Sequence, residues 1–203
     1  MRVLALAAMA VAAASAVFAD DPALDRKVRL FLEKNRGEWR DMNVPWEDGQ
    51  ILHDLVVQHR FRRALEIGTS TGHSSVWIAW ALSKTGGRLT TIEIDPSRHA
   101  EAKRNLEEAG VANLVDARLA DAHELVKQLP GPLDFVFSDA DKGWYVQYFK
   151  DLDPKLEVGG CFTAHNVLRS GREFLEYVKK LPTYRTTVET GSGEGISVSC
   201  KVR

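Results

Sequence analysis

Three stretches of this sequence hold reactive residue types at close spacing: "LEIGTSTGHSS" at 65–75, "SDADKGWY" at 138–145 and "GGCFTAHNV" at 159–167. Within the first, Gly68-Thr69-Ser70-Thr71-Gly72 fits G-x-S-x-G, the pattern of a hydrolase nucleophile elbow. A hydrolase also needs an acid and then a histidine after the serine, and Asp139 and His165 stand in that order. The elbow, however, ordinarily follows several strands and an oxyanion loop, whereas this loop follows the first strand of its repeating unit. Two phosphate-binding alternatives fall on residue type. No Lys follows Gly72, as a P-loop requires, and Thr69-Ser70 interrupt a G-x-G-x-x-G dinucleotide loop.

What is left is E-x-G-x-x-x-G, running from Glu66 through Gly68 to Gly72, with Glu93 closing the next apolar run. An acid at the end of a second strand accepts ribose hydroxyls. Glycines let backbone approach a ligand that carries no phosphate. The combination suggests an adenosine-like ligand, S-adenosylmethionine, and makes Ser70 a loop residue.

The elements around these residues alternate. Helical spacing over 21–42 and 48–60 is followed by apolar runs at 63–68, 88–94, 114–120, 133–140 and 159–167, separated by helical segments of roughly ten to fifteen residues. Asp95-Pro96 caps and opens one helix, and Gly110 ends it. Such alternation predicts a doubly wound α/β sheet, parallel, with helices on both faces. The end breaks the rhythm: "YRTTVET", "GSGEG" and "ISVSCKV" form a hairpin, giving seven strands of which only the last runs antiparallel to its neighbours. Ligands in such sheets bind beyond the carboxyl ends of the strands. If the last strand pairs with the fifth, placing Ile196 opposite His165 also puts Cys200 opposite Cys161, so these two cysteines are expected as neighbours and a bridge between them is open.

The 203 residues, 44% hydrophobic and 27% charged, suit one globular domain over 20–203. A formal net charge of -1 and no long basic run exclude the electrostatic footprint of nucleic-acid or anionic-membrane binding, which leaves a small-molecule partner. "MRVLALAAMAVAAASAVFADD" reads as a secretory leader cut near Ala19, so the mature chain is expected outside the cytoplasm, or inside it if the leader is not used.

The motifs "MNVPWEDGQIL", "LEIGTSTGHSS", "TIEIDP", "LADAHE", "SDADKGWY", "GGCFTAHNVLRSG" and "ISVSCKV", in this order, resemble the metal-dependent small-molecule O-methyltransferases that include catechol and caffeoyl-CoA O-methyltransferases. The resemblance implies a Rossmann-like methyltransferase sheet and a cofactor pocket made by Val44, Glu66, Gly68, Ser74, Glu93, Asp121, Ala122 and Asp139. Ser74 would hold the carboxylate of S-adenosylmethionine, Glu93 the ribose, and Asp121 with Ala122 the adenine; Asp121 also suits an N-cap. Lys142 would be the general base, and Asp139, His165 and Asn166 would hold a divalent metal that grips a catechol-like acceptor. Where the family reads Asp-Asn this chain reads His165-Asn166, which weakens magnesium and favours zinc, iron or cobalt, with manganese intermediate. Trp46 and Trp144 are candidates to sandwich the acceptor ring. Two other functions stay open: an exported, non-catalytic binder of S-adenosylmethionine, adenosine or metal, and the serine hydrolase of Ser70. A homodimer is also open.

Overall fold

The structure, a computed structural model, describes residues 21–39 and 42–203. The expected leader at 1–19 lies outside the described residues. Seven strands and seven α-helices follow in chain order: α1 (Pro22–Lys34), α2 (Trp46–His59), β1 (Arg63–Ile67), α3 (His73–Thr85), β2 (Arg88–Glu93), α4 (Pro96–Ala109), β3 (Val115–Leu119), α5 (Ala122–Gln128), β4 (Leu133–Ser138), α6 (Tyr145–Leu152), β5 (Leu156–Ala164), α7 (Arg172–Val178), β6 (Tyr184–Glu189) and β7 (Ile196–Lys201). They form one sheet in the order β3-β2-β1-β4-β5-β7-β6. The pairs from β3 through β5 are parallel, and β7 runs antiparallel to both β5 and β6. The chain order reverses direction across β1 and β4, which makes their carboxyl ends the switch point.

Period-two burial along the central strands decides which helix packs where. Phe135 and Phe137 of β4 face a core with Cys161, Ile78, Leu82, Leu52 and Val56, whereas Val136 faces the opposite core with Leu65, Ile67, Phe149, Phe162 and Phe174. A third cluster, holding Val28, Phe31, Leu32, Trp77, Trp80 and Leu106, joins α1 to α3 and α4. Helix α3 touches two of these clusters, which is why its sequence is apolar nearly all round. Gly49 of α2 lets that packing close, because a Cβ there would stand 2.3 Å from the indole of Trp77.

The helical pattern over 21–42 overshoots. Helix α1 ends at Lys34, capped by Asn35, whose amide reaches back to the carbonyls of Glu33 and Phe31. At the other end of the chain the register is as expected: Cys161 opposes Cys200, and the two are joined by a disulfide.

Candidate active site

The half of the site that the resemblance assigns to the cofactor is built by loops leaving β1 and β2. Gly68 has φ +99°, and a Cβ on it would meet the backbone of Asp139 and Ala140 at 3.0 Å, so only glycine lets the β1 loop lie against the end of β4. Ser70, at φ +48°, donates its amide to Glu93 Oε2 at 2.7 Å. The amides of Ile94 and Asp95 both donate to Glu93 Oε1 at 2.9 Å. Three backbone donors thus fix one carboxylate between the loops, and Oε2, with a single amide, keeps one acceptor position. Around it lies a cavity of about 230 Å3 lined by Gly68, Ile92, Glu93, Asp121, Ala122 and Asp139 among others. Five expected cofactor residues therefore share one cavity.

Val44, Glu66 and Ser74 stand outside that lining. Glu66 is fully buried and its Oε2 accepts from Ser75 and from Thr91 Oγ1 at 2.6 Å. Burial pushes its carboxyl up to about 7, against the pull of those hydroxyls. Ser74, expected at the cofactor carboxylate, is buried in the first turn of α3. The carbonyl of Val44 faces His73 Nδ1 at 2.8 Å, and His73 Nε2 accepts from Trp77. Burial holds His73 down to about 4, so it is a neutral clamp on the Val44 segment. Asp121 lines the cavity and also N-caps α5, accepting from the His123 amide at 2.9 Å.

The acceptor half is a chain of charges. Lys142 Nζ lies 2.6 Å from Asp139 Oδ1, and His165 Nδ1 lies 3.3 Å from the same oxygen. His165 Nε2 in turn lies 2.7 Å from Asp48 Oδ2, which also accepts from Ser192 at 2.5 Å. Burial disfavours a charge on His165, but the hydrogen bonds and charges of Asp139 and Asp48 outweigh it and raise the imidazole to about 9. Asn166, in the left-handed region at φ +56°, sends its amide nitrogen to Glu194 at 3.2 Å. Asp139 and His165 thus converge as expected, while Asn166 engages Glu194 of the β6–β7 loop through its amide nitrogen alone.

Asp48, Ser192, Glu194, His123 and Tyr148 were not singled out by the sequence reading. Asp48 did carry a signal: it falls in step with Leu52 and Val56 on the buried stripe of α2, an acid where the pattern wants an apolar side chain. The tryptophan sandwich does not form. Trp46 packs edge-on against Trp77, with ring centroids 5.0 Å apart and the Arg36 guanidinium over it, whereas Trp144 lies 4.0 Å from His123 beside the cavity.

Comparison with known proteins decides the family. The O-methyltransferase family model matches residues 14–189. The chain belongs to the O-methyltransferase family. A catechol O-methyltransferase of Mycobacterium tuberculosis is 35% identical over 159 residues, 77% of this chain and 70% of that protein. One from Niastella koreensis is 36% identical over 135 residues, 64% of this chain, and the chain spans only 61% of that relative. Among solved structures, the Bacillus cereus O-methyltransferase in complex with SAH matches with TM-score 0.73 and 27% identity, covering 92% of this chain and 93% of that one. Cofactor-bound Rv0187 from MTB matches with TM-score 0.74 and 28% identity over 90% of each chain. Family membership overturns the hydrolase reading, and the side chains agree. His165 is committed to two carboxylates and His73 to Val44 and Trp77, so neither serves Ser70 as a base.

Proposed function

We propose that this O-methyltransferase family member moves the methyl group of S-adenosylmethionine to a hydroxyl of a small, catechol-like aromatic acceptor. The observation that carries the reading is the cavity on which Gly68, Glu93, Asp121, Ala122 and Asp139 converge, with Lys142 against Asp139 at its edge. The walls fit an adenosine-like ligand: an acid with a free acceptor position for a ribose hydroxyl, and apolar Ile92, Ala122 and Tyr148 for a flat base. When bound, S-adenosylmethionine supplies a methyl group made electrophilic by its sulfonium.

The chain's own residues then position and deprotonate. Lys142 Nζ, once it has given up its own proton, takes the acceptor's hydroxyl proton as the oxygen attacks the methyl carbon in line; the O–C bond forms, the C–S bond breaks, and its electron pair stays on sulfur. Asp139 holds the resulting ammonium, in the pairing seen at 2.6 Å. Enclosure of both reactants in one cleft contributes through proximity.

The divalent metal implied by the resemblance would be held by Asp139, His165 and Asn166 and would polarise an acceptor oxygen. Asp139 Oδ1 is shared by Lys142 and His165 and both ring nitrogens of His165 face carboxylates, whereas Asn166 engages Glu194 through its amide nitrogen alone and Asp48 Oδ1 is buried without a hydrogen-bond partner. Action outside the cytoplasm is part of the proposal, and the Cys161–Cys200 disulfide supports it, because such bridges persist in oxidising compartments.

Calorimetry with S-adenosylhomocysteine, followed by transfer from labelled S-adenosylmethionine to catechol and related phenols, tests the reading. Saturable binding and a labelled methyl ether are expected. Absence of binding would overturn it; binding without transfer to any hydroxylated acceptor would favour the non-catalytic binder.

A further inference from the structure

We propose that a cavity between α1, α2 and α3, apart from the cleft around Glu93, is a binding site for a neutral single-ring aromatic that carries a hydroxyl, that is, a phenol. The proposal stands on this cavity alone and needs neither S-adenosylmethionine nor methyl transfer.

The cavity holds about 170 Å3, its walls include Trp46, His53, Trp77 and Trp80, and none of its lining residues lines the cleft around Glu93. Volume sets the size of the guest. An apolar cavity of about 150 Å3 takes one benzene ring, so this one has room for a single ring and none for a nucleotide. The walls set its shape: Trp46 meets Trp77 edge-on with ring centroids 5.0 Å apart, and Trp77 lies 5.7 Å from Trp80. Such an arrangement of faces and edges favours a flat aromatic guest.

Charge narrows the choice further. Arg29 and Lys84 stand 5.1 Å and 5.7 Å from the Trp80 ring centroid, and Arg36 stands 4.7 Å from that of Trp46. The indole faces that would attract a cationic guest therefore already carry cations. At the exposed mouth Glu33 and Asp54 outnumber Arg29, so a carboxylate gains nothing there. A neutral guest is left.

One polar anchor remains unmet. Trp77 Nε1 donates to His73 Nε2 at 3.0 Å and Trp80 Nε1 to Asp25 Oδ1 at 2.6 Å, so both buried indoles are satisfied. His53 Nδ1 lies 2.9 Å from Asp54 Oδ1, and since a carboxylate only accepts, Nδ1 carries the hydrogen. Burial holds the imidazole below its usual range, which leaves Nε2 a lone pair. Among the described residues that line this cavity, His53 Nε2 is the one buried side-chain polar atom with no hydrogen-bond partner. The rings of Trp77 and Trp80 flank His53 with centroids at 6.2 Å and 4.6 Å, so a donor reaches Nε2 from the cavity. A hydroxyl on the guest ring is such a donor, and a buried acceptor left unmet is costly.

The test uses the purified full chain and two probes of nearly equal size, phenol and toluene, titrated by NMR into wild type, His53→Phe and Trp46→Ala. One phenol per chain is expected in wild type, with nuclear Overhauser contacts from its ring protons to the Trp46 and Trp77 indoles. In His53→Phe, which keeps a ring and removes the acceptor, the ratio of phenol to toluene affinity should fall by about tenfold. In Trp46→Ala both probes should bind about tenfold more weakly. A ratio unchanged in His53→Phe overturns the hydrogen bond to Nε2 and with it the choice of a phenol. Absence of binding, bound phenol that contacts neither indole, or phenol held by Trp46→Ala as tightly as by wild type overturns the site itself. If neither variant folds, the wild-type contacts decide alone.

Discussion

The two halves of the cleft hold their acids in opposite ways. At the β1–β2 end, Glu93 is fixed by three backbone amides from residues within 23 positions of it, and no side-chain cation is among those partners. At the β4–β5 end, Asp139 and Asp48 are fixed by side-chain cations, and the pairing of Asp48 with His165 spans 117 positions. Backbone donors cost no side-chain entropy and leave an acid able to accept one more hydrogen bond. Side-chain cations cancel charge, which a region that must accommodate a developing oxyanion needs. The β1–β2 end is thus a cradle of local origin, and the β4–β5 end an ion network assembled from afar.

If the two halves work separately, substitutions should divide between them. The largest effect is expected from Lys142→Met. Loss of a general base lowers the rate of methyl transfer by about 10^2–10^4-fold, with S-adenosylhomocysteine affinity preserved in calorimetry; a parallel loss of affinity would break the comparison.

Asp48→Ala leaves His165 buried with one partner. Removing one member of a buried ion pair costs about 3–5 kcal/mol, to be read as a lower urea midpoint, with the Glu93 cradle still able to bind S-adenosylhomocysteine in the folded fraction. A stability unchanged by this substitution would show that the pair is not the buried contact described here.

Glu66 lies beneath both halves and gives a pH signature. Its folded carboxyl is raised from 4.5 to about 7, so the stability it contributes is present below pH 4.5 and lost as pH rises through 7. Glu66→Gln carries no such loss. Between pH 5 and 8 the stability of wild type relative to this variant should fall by about 2–3 kcal/mol, measured as paired urea midpoints. A difference that does not move with pH would mean that Glu66 ionises freely in place.

Ser192→Ala should have the smallest effect. It removes one hydrogen bond to Asp48 and should cost about 1–2 kcal/mol without altering S-adenosylhomocysteine binding. A loss of binding would tie the β6–β7 loop to the cofactor end and sharpen the border between the halves.

The order of elements was legible from the sequence because strands and helices announce themselves by local burial periods and by Gly and Pro punctuation. The alternation predicted the doubly wound sheet, and the hairpin predicted its antiparallel end. The cysteine pair followed as well, since opposed residues in an antiparallel ladder keep a constant number sum, and Cys161 with Cys200 and Phe162 with Ser199 both keep it. The closeness of Gly68 and Glu93 was legible for the same reason: they sit at strand ends whose side-by-side placement the parallel pairing of β1 and β2 fixes. What tertiary structure alone decided was the company of His165. A period says that Asp48 faces inward from α2, but which strand end it meets depends on how that helix is rotated and laid across the sheet. That rotation is set by packing such as Trp77 against Gly49, between residues that no local pattern connects. The same packing set Trp46 against Trp77 and placed His165 between two acids.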